Sequence, residues 1–187
     1  MNKSRCCENR EAYGLAVSGA IAALYIVLTL ALAPLSFGPL QFRLSEGLNF
    51  LALYNKRYVY AMTVGVFIVN YFAFGMWDMI IGSLGTYVFL SLGRYLAKKA
   101  AEAVEKMPRL AKWSLGIQYA VLLVIFSLSM FTIAGLIIFL GAEEAFWPLY
   151  WTLAASEAVA MGLGGLLVYP IAPVSYTHLT LPTNREV

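Results

Sequence analysis

Six apolar segments, each near helix length, follow one another along this chain with only short polar connections between them. They run approximately Tyr13–Ala33, Leu40–Tyr54, Tyr58–Phe74, Met79–Ala97, Trp113–Leu140 and Trp147–Ile171. A bilayer core about 30 Å thick takes roughly 20 apolar residues per helix. An apolar fraction of 61% and a mean hydropathy of +0.74 exceed what a soluble domain of 187 residues needs for its core. The pattern predicts an all-α fold, a polytopic membrane protein built as a six-transmembrane-helix bundle. The second and third segments are short, and Pro34, Gly38 and Pro39 precede the second. Short loops leave no room for a separate soluble domain, so residues 1–173 form one unit.

The last residues, VSYTHLTLPTNREV from Val174 to Val187, break abruptly from the preceding composition. They look like the translated read-through of a sequencing-library adaptor and are set aside as non-native. The single histidine, His178, falls inside this tail, so no histidine chemistry is expected. Cys6 and Cys7 are adjacent, which neither closes a useful loop nor gives metal-ligand spacing. The first apolar run is long and lacks a small-residue cleavage site, so it reads as a membrane helix and not a cleaved signal.

Lysine and arginine accumulate on cytoplasmic loops. With the N-terminus inside, the inner face holds Lys3, Arg5, Arg10, Lys56, Arg57, Arg94 and the five basic residues between Lys98 and Lys112, against Arg43 alone outside. Glu143, Glu144 and Asp78 fall outside. Both termini are therefore expected in the cytoplasm of a bacterial cell, with the chain in its plasma membrane. The formal charge of +3 reflects this asymmetry and not nucleic-acid binding. The polar stretch Lys98–Lys112 reads as a solvated inner connection, on anionic headgroups or as a docking surface.

Against this background the stretch Phe37–Tyr54, FGPLQFRLSEGLNFLALY, stands out, because it brings Gln41, Arg43 and Glu46 into an apolar segment. Charged side chains at membrane depth are rare, face a protein interior and mark solute paths or sites. Arg43 and Glu46 are three apart and share a helix face, which Asn49 extends. Asn70 lies in the last turns of the third segment. Asp78 is expected in a tight outer turn just before the fourth. Glu157 lies about 15 Å along the sixth, near the bilayer middle. Gln41, Arg43, Glu46, Asn70, Asp78 and Glu157 thus all fall in the outer half, where an outward-facing polar pocket would satisfy them together.

Aromatic residues gather at the same level: Phe37, Phe42, Tyr71, Phe72, Phe74, Trp77, Phe146, Trp147, Tyr150 and Trp151. One reading is an interfacial belt. The other is stacking walls for a planar ligand, with Trp151 as a binding residue. Arg43 and Glu46 have an alternative as a structural ion pair, and Asp78 has one as a helix N-cap. On the first segment Ala12, Ala16 and Ala20, with Gly19 and Ala23, recur every fourth residue and permit close helix approach. That face either packs within the chain's own bundle or meets another membrane protein. Gly162, Gly164 and Gly165 read as internal packing.

The sequence carries no phosphate-binding GxxxxGK[ST] loop, no GxSxG and no HExxH motif, and Asp78 is its sole aspartate. A catalytic metal site lacks its ligands, and no cofactor is expected. Binding or transport is favoured over catalysis.

The run Ala23–Leu90 resembles the QueT family, substrate-binding S components of energy-coupling factor vitamin transporters. The matching landmarks are GPLQFRLSE at Gly38–Glu46, the region of Asn70, the Asp78 turn followed by Gly82-Ser83-Leu84-Gly85-Thr86, and SEAVAMGLG at Ser156–Gly164. The similarity spans about residues 12–172. It implies a six-helix S component that captures a queuosine precursor, a 7-substituted deazaguanine such as preQ1 or preQ0. Such a subunit meets a transmembrane coupling subunit through small residues on helix 1, here Ala12, Ala16 and Ala20, and is driven by two cytoplasmic ATPases. Of the implied site residues, Glu46 or Glu157 would accept from the base's donors, Arg43 or Gln41 would donate to its carbonyl, and Asp78 is available for an ammonium. Two alternatives stand beside this: an S component for another flat vitamin, pterin-like or thiamine-like, and a stand-alone channel or scaffold.

Overall fold

The computed structural model describes the backbone of residues 3–38 and 41–179 and the side-chain surroundings of residues 11–38 and 41–170. In chain order the helices are α1 (Lys3–Ala31), α2 (Ala33–Ser36), a 3-10 helix (Leu44–Leu53), α3 (Arg57–Ala73), α4 (Met76–Glu105), a 3-10 turn (Ala111–Trp113), α5 (Ser114–Leu128), α6 (Phe131–Phe139) and α7 (Phe146–Leu179). No strand occurs among the described residues. The protein is an all-α polytopic membrane protein.

Four stretches among the described residues are long and apolar enough to cross a membrane: Glu11–Ala31, Met76–Glu105, Ala111–Phe139 and Phe146–Pro170. The second and third expected segments are shorter. Arg57–Ala73 is a 17-residue α-helix, about 25 Å long. Leu44–Leu53 is not an α-helix at all. It is a 10-residue 3-10 helix, about 20 Å long at its steeper rise. The polar stretch after Ala97 is also more ordered than expected, since α4 continues to Glu105. The expected break at Val174 lies within the backbone of α7, and residues 180–187 of the tail lie outside the described residues.

The 3-10 helix is the centre of the bundle. Ser45, Glu46, Gly47, Asn49, Phe50, Ala52 and Leu53 are all buried, with α1, α3, α4, α5 and α7 packed around them. A 3-10 run longer than three or four residues is uncommon. Ser45, Gly47 and Asn49 are poor α-helix interior residues, so local preference against an α-helix is strong here. Tertiary contact adds a second constraint. The backbones of Gly47 and Gly164 touch directly, and a Cβ on Gly164 would stand 2.8 Å from the carbonyl oxygen of Leu44. Gly165 receives the Phe50 ring in the same way. The glycines of α7 are therefore packing surface, the internal role expected of Gly164 and Gly165.

Side chains tie the 3-10 helix to its neighbours. Thr29 and Ser45 share a 2.6 Å hydrogen bond to α1. Phe50 stacks on Tyr119 of α5 with ring centroids 4.2 Å apart. The Arg94 guanidinium of α4 donates to the Ala52 carbonyl at the far end. The other end of the helix, at Arg43, lies near Asp78 of α4 and Glu157 of α7.

Two interruptions shape the rest. Gly75, at φ +87°, reverses the chain between α3 and α4 in a conformation that only glycine adopts readily. Between α5 and α6 the Ser129 hydroxyl bonds the Phe126 carbonyl at 2.6 Å, and its N–H is shared between Ile125 and Phe126 carbonyls. Such local bonding by serine competes with helix continuation, and the single expected segment Trp113–Leu140 divides there.

Candidate functional site

The break at Ser129 opens one wall of a cavity of about 40 Å³, closed on its other sides by α3, α4, α7 and the start of the 3-10 helix. Gln41, Arg43, Glu46, Asn70, Asp78 and Glu157 all line it. Sequence spacing alone brought these six to one level, and the structure brings them to one space. Thr86, Ser129 and Thr132 complete its polar lining, while Val66, Phe126, Met130, Ile133 and Leu153 make it partly apolar.

The 3-10 helix explains the alignment of the first group. In an α-helix, steps of three residues fall about 60° short of a full turn. In a 3-10 helix residues i and i+3 eclipse, so Arg43, Glu46 and Asn49 stand along one edge. Arg43 itself is the extended residue just before the helix, and the backbone N–H of Glu46 donates to its carbonyl at 3.0 Å. Gln41 enters the cavity from a turn with φ +45°, in the left-handed region that side chains other than glycine seldom occupy. Strained backbone of this kind concentrates at ligand sites.

Glu46 is held from two sides. The buried Tyr25 hydroxyl of α1 donates to Oε1 at 2.5 Å, and Asn49 Nδ2 donates to Oε2 at 2.6 Å. Arg43 Nη1 stands 4.0 Å from Glu46 Oε1, so the expected ion pair exists at the limit of contact. The guanidinium also lies over the Phe74 ring, 5.3 Å from its centroid. Asn70 Nδ2 donates to the Asp78 backbone carbonyl at 3.0 Å, packed against Gly82, where an added Cβ would push the Asn70 amide out of place. Asp78 is the third residue of α4 and Gly75 is its N-cap, so Asp78 neither precedes the helix nor caps it. Its carboxylate sits in the first turn, where the helix dipole favours negative charge.

Several buried polar atoms on this cavity have no hydrogen-bond partner: Arg43 Nε, Asn70 Oδ1 and Glu157 Oε1. Burying a polar group without a partner costs free energy. All three belong to residues that line this one cavity.

Trp151 does not belong to this site. It is 59% exposed, packs on Tyr150 with ring centroids 4.8 Å apart and lines no part of the cavity. Tyr71, Phe72, Trp77 and Trp147 are likewise exposed, which fits the belt reading of this level and not stacking walls. Among the described residues the one aromatic ring lining the cavity is Phe126, which the sequence reading did not single out. Tyr25 was also missed. A phenol in the middle of an apolar span needs a hydrogen-bond partner, and that need was the available signal.

The model of the QueT transporter family matches residues 15–173. The chain belongs to the QueT transporter family. A relative from Lactococcus lactis subsp. cremoris (strain MG1363), named Queuosine precursor transporter QueT, is 38% identical over 160 residues, covering 84% of this chain and 91% of the relative. No solved structure matches. Membership makes the protein a membrane transporter of a small molecule rather than an enzyme. The QueT match takes in every cavity residue from Gln41 to Glu157.

Proposed function

We propose that this protein is the substrate-binding subunit of an energy-coupling factor transporter, and that it captures a queuosine precursor, a 7-substituted deazaguanine, from the outer side of the membrane. The observation that carries this reading is the convergence of Gln41, Arg43, Glu46, Asn70, Asp78 and Glu157, from separate elements, on one buried cavity in a QueT family chain. The name of the Lactococcus relative supports the ligand class. On this reading α3 and the Phe37–Tyr54 region complete six crossings with both termini in the cytoplasm of a bacterial cell. Two cytoplasmic ATPases and a transmembrane coupling subunit supply the energy. Ala12, Ala16 and Ala20 are exposed along α1, which supports their use as the face that meets the coupling subunit. Residues 174–187 are read as non-native, in keeping with a family match that stops at residue 173.

The cavity has room for about three waters. A bicyclic base therefore enters as lining side chains swing aside, and Met130 has the flexibility to do so. The binding test is titration of the purified protein with 7-deazaguanines, a pterin and thiamine. Tight binding of the deazaguanines alone supports the proposal, and preference for a pterin or thiamine overturns the ligand assignment. Co-purification with a coupling subunit and two ATPases tests the partnership.

Charge sharpens the expected order among precursors. Three carboxylates, Glu46, Asp78 and Glu157, face one guanidinium, Arg43. A precursor carrying an aminomethyl ammonium should bind about tenfold or more tighter than the neutral nitrile, a fraction of the ~4 kcal/mol exchanged by unit charges 4 Å apart at an effective dielectric near 20. Equal affinities would show that the carboxylates do not read ligand charge. Trp151→Ala should leave affinity for either precursor within about twofold, as for a surface substitution away from the site.

A further inference from the structure

The two glutamates of the cavity are in different states of engagement. Both oxygens of Glu46 already accept short hydrogen bonds, from Tyr25 at 2.5 Å and Asn49 at 2.6 Å, and its nearest cation is Arg43. These bonds run back into α1 and along the 3-10 helix. Glu157 is 95% removed from contact with solvent, being 5% exposed, and its Oε1 has no partner. It projects from α7 onto the same cavity, where Asn70 Oδ1 is a second unpaired acceptor and Arg43 Nε an unpaired donor.

From this we infer that the glutamates divide their work: Glu157 is the specificity-determining carboxylate, taking the two adjacent N–H donors of a guanine-type ring, and Glu46 is a positioning residue that fixes Arg43. The inference rests on the ligand class proposed above. A carboxylate with a free oxygen matches the ring N–H and exocyclic amine of an amino-pyrimidinone edge, which point the same way and both donate. Arg43 Nε is the complementary donor for the ring carbonyl. Glu46 serves this pattern indirectly. Tyr25 and Asn49 lock its carboxylate, and the locked carboxylate holds the guanidinium electrostatically at the mouth of the 3-10 helix.

The two roles separate in three readouts. A site that hydrogen-bonds each donor rejects an analogue lacking one, because its own polar group is then left unpaired. Wild-type protein should therefore bind 7-aminomethyl-7-deazaguanine at least about thirtyfold tighter than the 2-desamino analogue, a modest value for such discrimination. In Glu157→Gln the ratio should collapse to within about threefold, while the melting temperature of the unliganded protein stays the same or rises, since a buried carboxyl with an unpartnered oxygen gives way to an uncharged amide of the same shape. Glu157→Asp should weaken both ligands and keep the preference. Tyr25→Phe should weaken both ligands equally, leave their ratio unchanged and lower the melting temperature, because Glu46 Oε1 loses its donor.

The experiment is calorimetric titration of the full chain in detergent with both compounds, beside thermal melts without ligand. An unchanged ratio in Glu157→Gln overturns the inference, and so does a collapsed ratio in Tyr25→Phe. A melting temperature in Glu157→Gln lowered as far as in Tyr25→Phe also overturns it, because Glu157 would then be structural. Failure of the wild-type protein to bind any deazaguanine is a separate result. It sinks the proposed ligand class and is read before any variant.

Discussion

Gly47→Val should leave no folded protein, and Gly47→Ala should be destabilised by more than about 3 kcal/mol, the upper end of ordinary overpacking. The reason is what a Cβ would meet. At Gly47 it would run into the Cα and carbonyl carbon of Gly164, and at Gly164 it would stand 2.6 Å from the Cα of Gly47. Backbone cannot rotate out of the way as a side chain can. Relief requires α7 and the 3-10 helix to separate, and with them Phe50 from Gly165 and Glu157 from the edge that carries Arg43. Gly135→Ala is the matched control. A Cβ there meets nothing within 4 Å, and alanine favours the α6 helix by up to about 1 kcal/mol. Size-exclusion profiles and thermal melts in detergent should show Gly135→Ala unchanged or stabilised. A Gly47→Val protein that elutes and melts like wild type would mean that the close approach of α7 is not what holds the bundle together.

The same contact explains which parts of the fold the sequence showed and which it hid. Apolar length predicted the all-α membrane class, because the bilayer imposes that length on any spanning helix. It could not predict that Leu44–Leu53 would wind as a 3-10 helix. Local preference at Ser45, Gly47 and Asn49 argues only against an α-helix, and the close partner of this stretch, Gly164, lies more than a hundred residues away. The charged and amide side chains of the site were legible because each is a costly exception in an apolar run. Depth along a helix was legible too, since the rise per residue is fixed. Rotation about the last segment was not used, only depth along it, and Trp151 was placed with the site for that reason. It lies six residues before Glu157, which puts the two about 120° apart on an α-helix at 100° per residue. Leu153, four residues before Glu157, lies within about 40° of it and does line the cavity. Phe126 was hidden for a different reason. On a uniformly apolar helix every face looks alike until the Ser129 break exposes one of them.

Arg43→Met should abolish measurable ligand binding and lower the melting temperature, whereas the double variant Arg43→Met, Glu46→Gln should recover the melting temperature without recovering binding. Arg43 is the cation on a cavity with three carboxylates, and it contacts Glu46 and the Phe74 ring. Removing one member of a buried pair strands the other, at a cost of about 3–5 kcal/mol, and the second substitution removes the stranded charge while leaving an amide oxygen for the Tyr25 hydroxyl and an amide N–H for the unpaired Asn49 Oδ1. Stability in the double variant therefore measures whether the pair holds itself. Binding measures whether the guanidinium also holds the ligand. Arg43→Lys adds the remaining distinction. It keeps the charge beside Glu46 but loses the fixed fork and the Nε donor, so it should melt near wild type and bind at least about tenfold more weakly. If binding returned in the double variant, Arg43 would be a structural counter-ion only, and the donor to the ligand carbonyl would have to be Gln41, the nearest lining residue in sequence with an amide to offer.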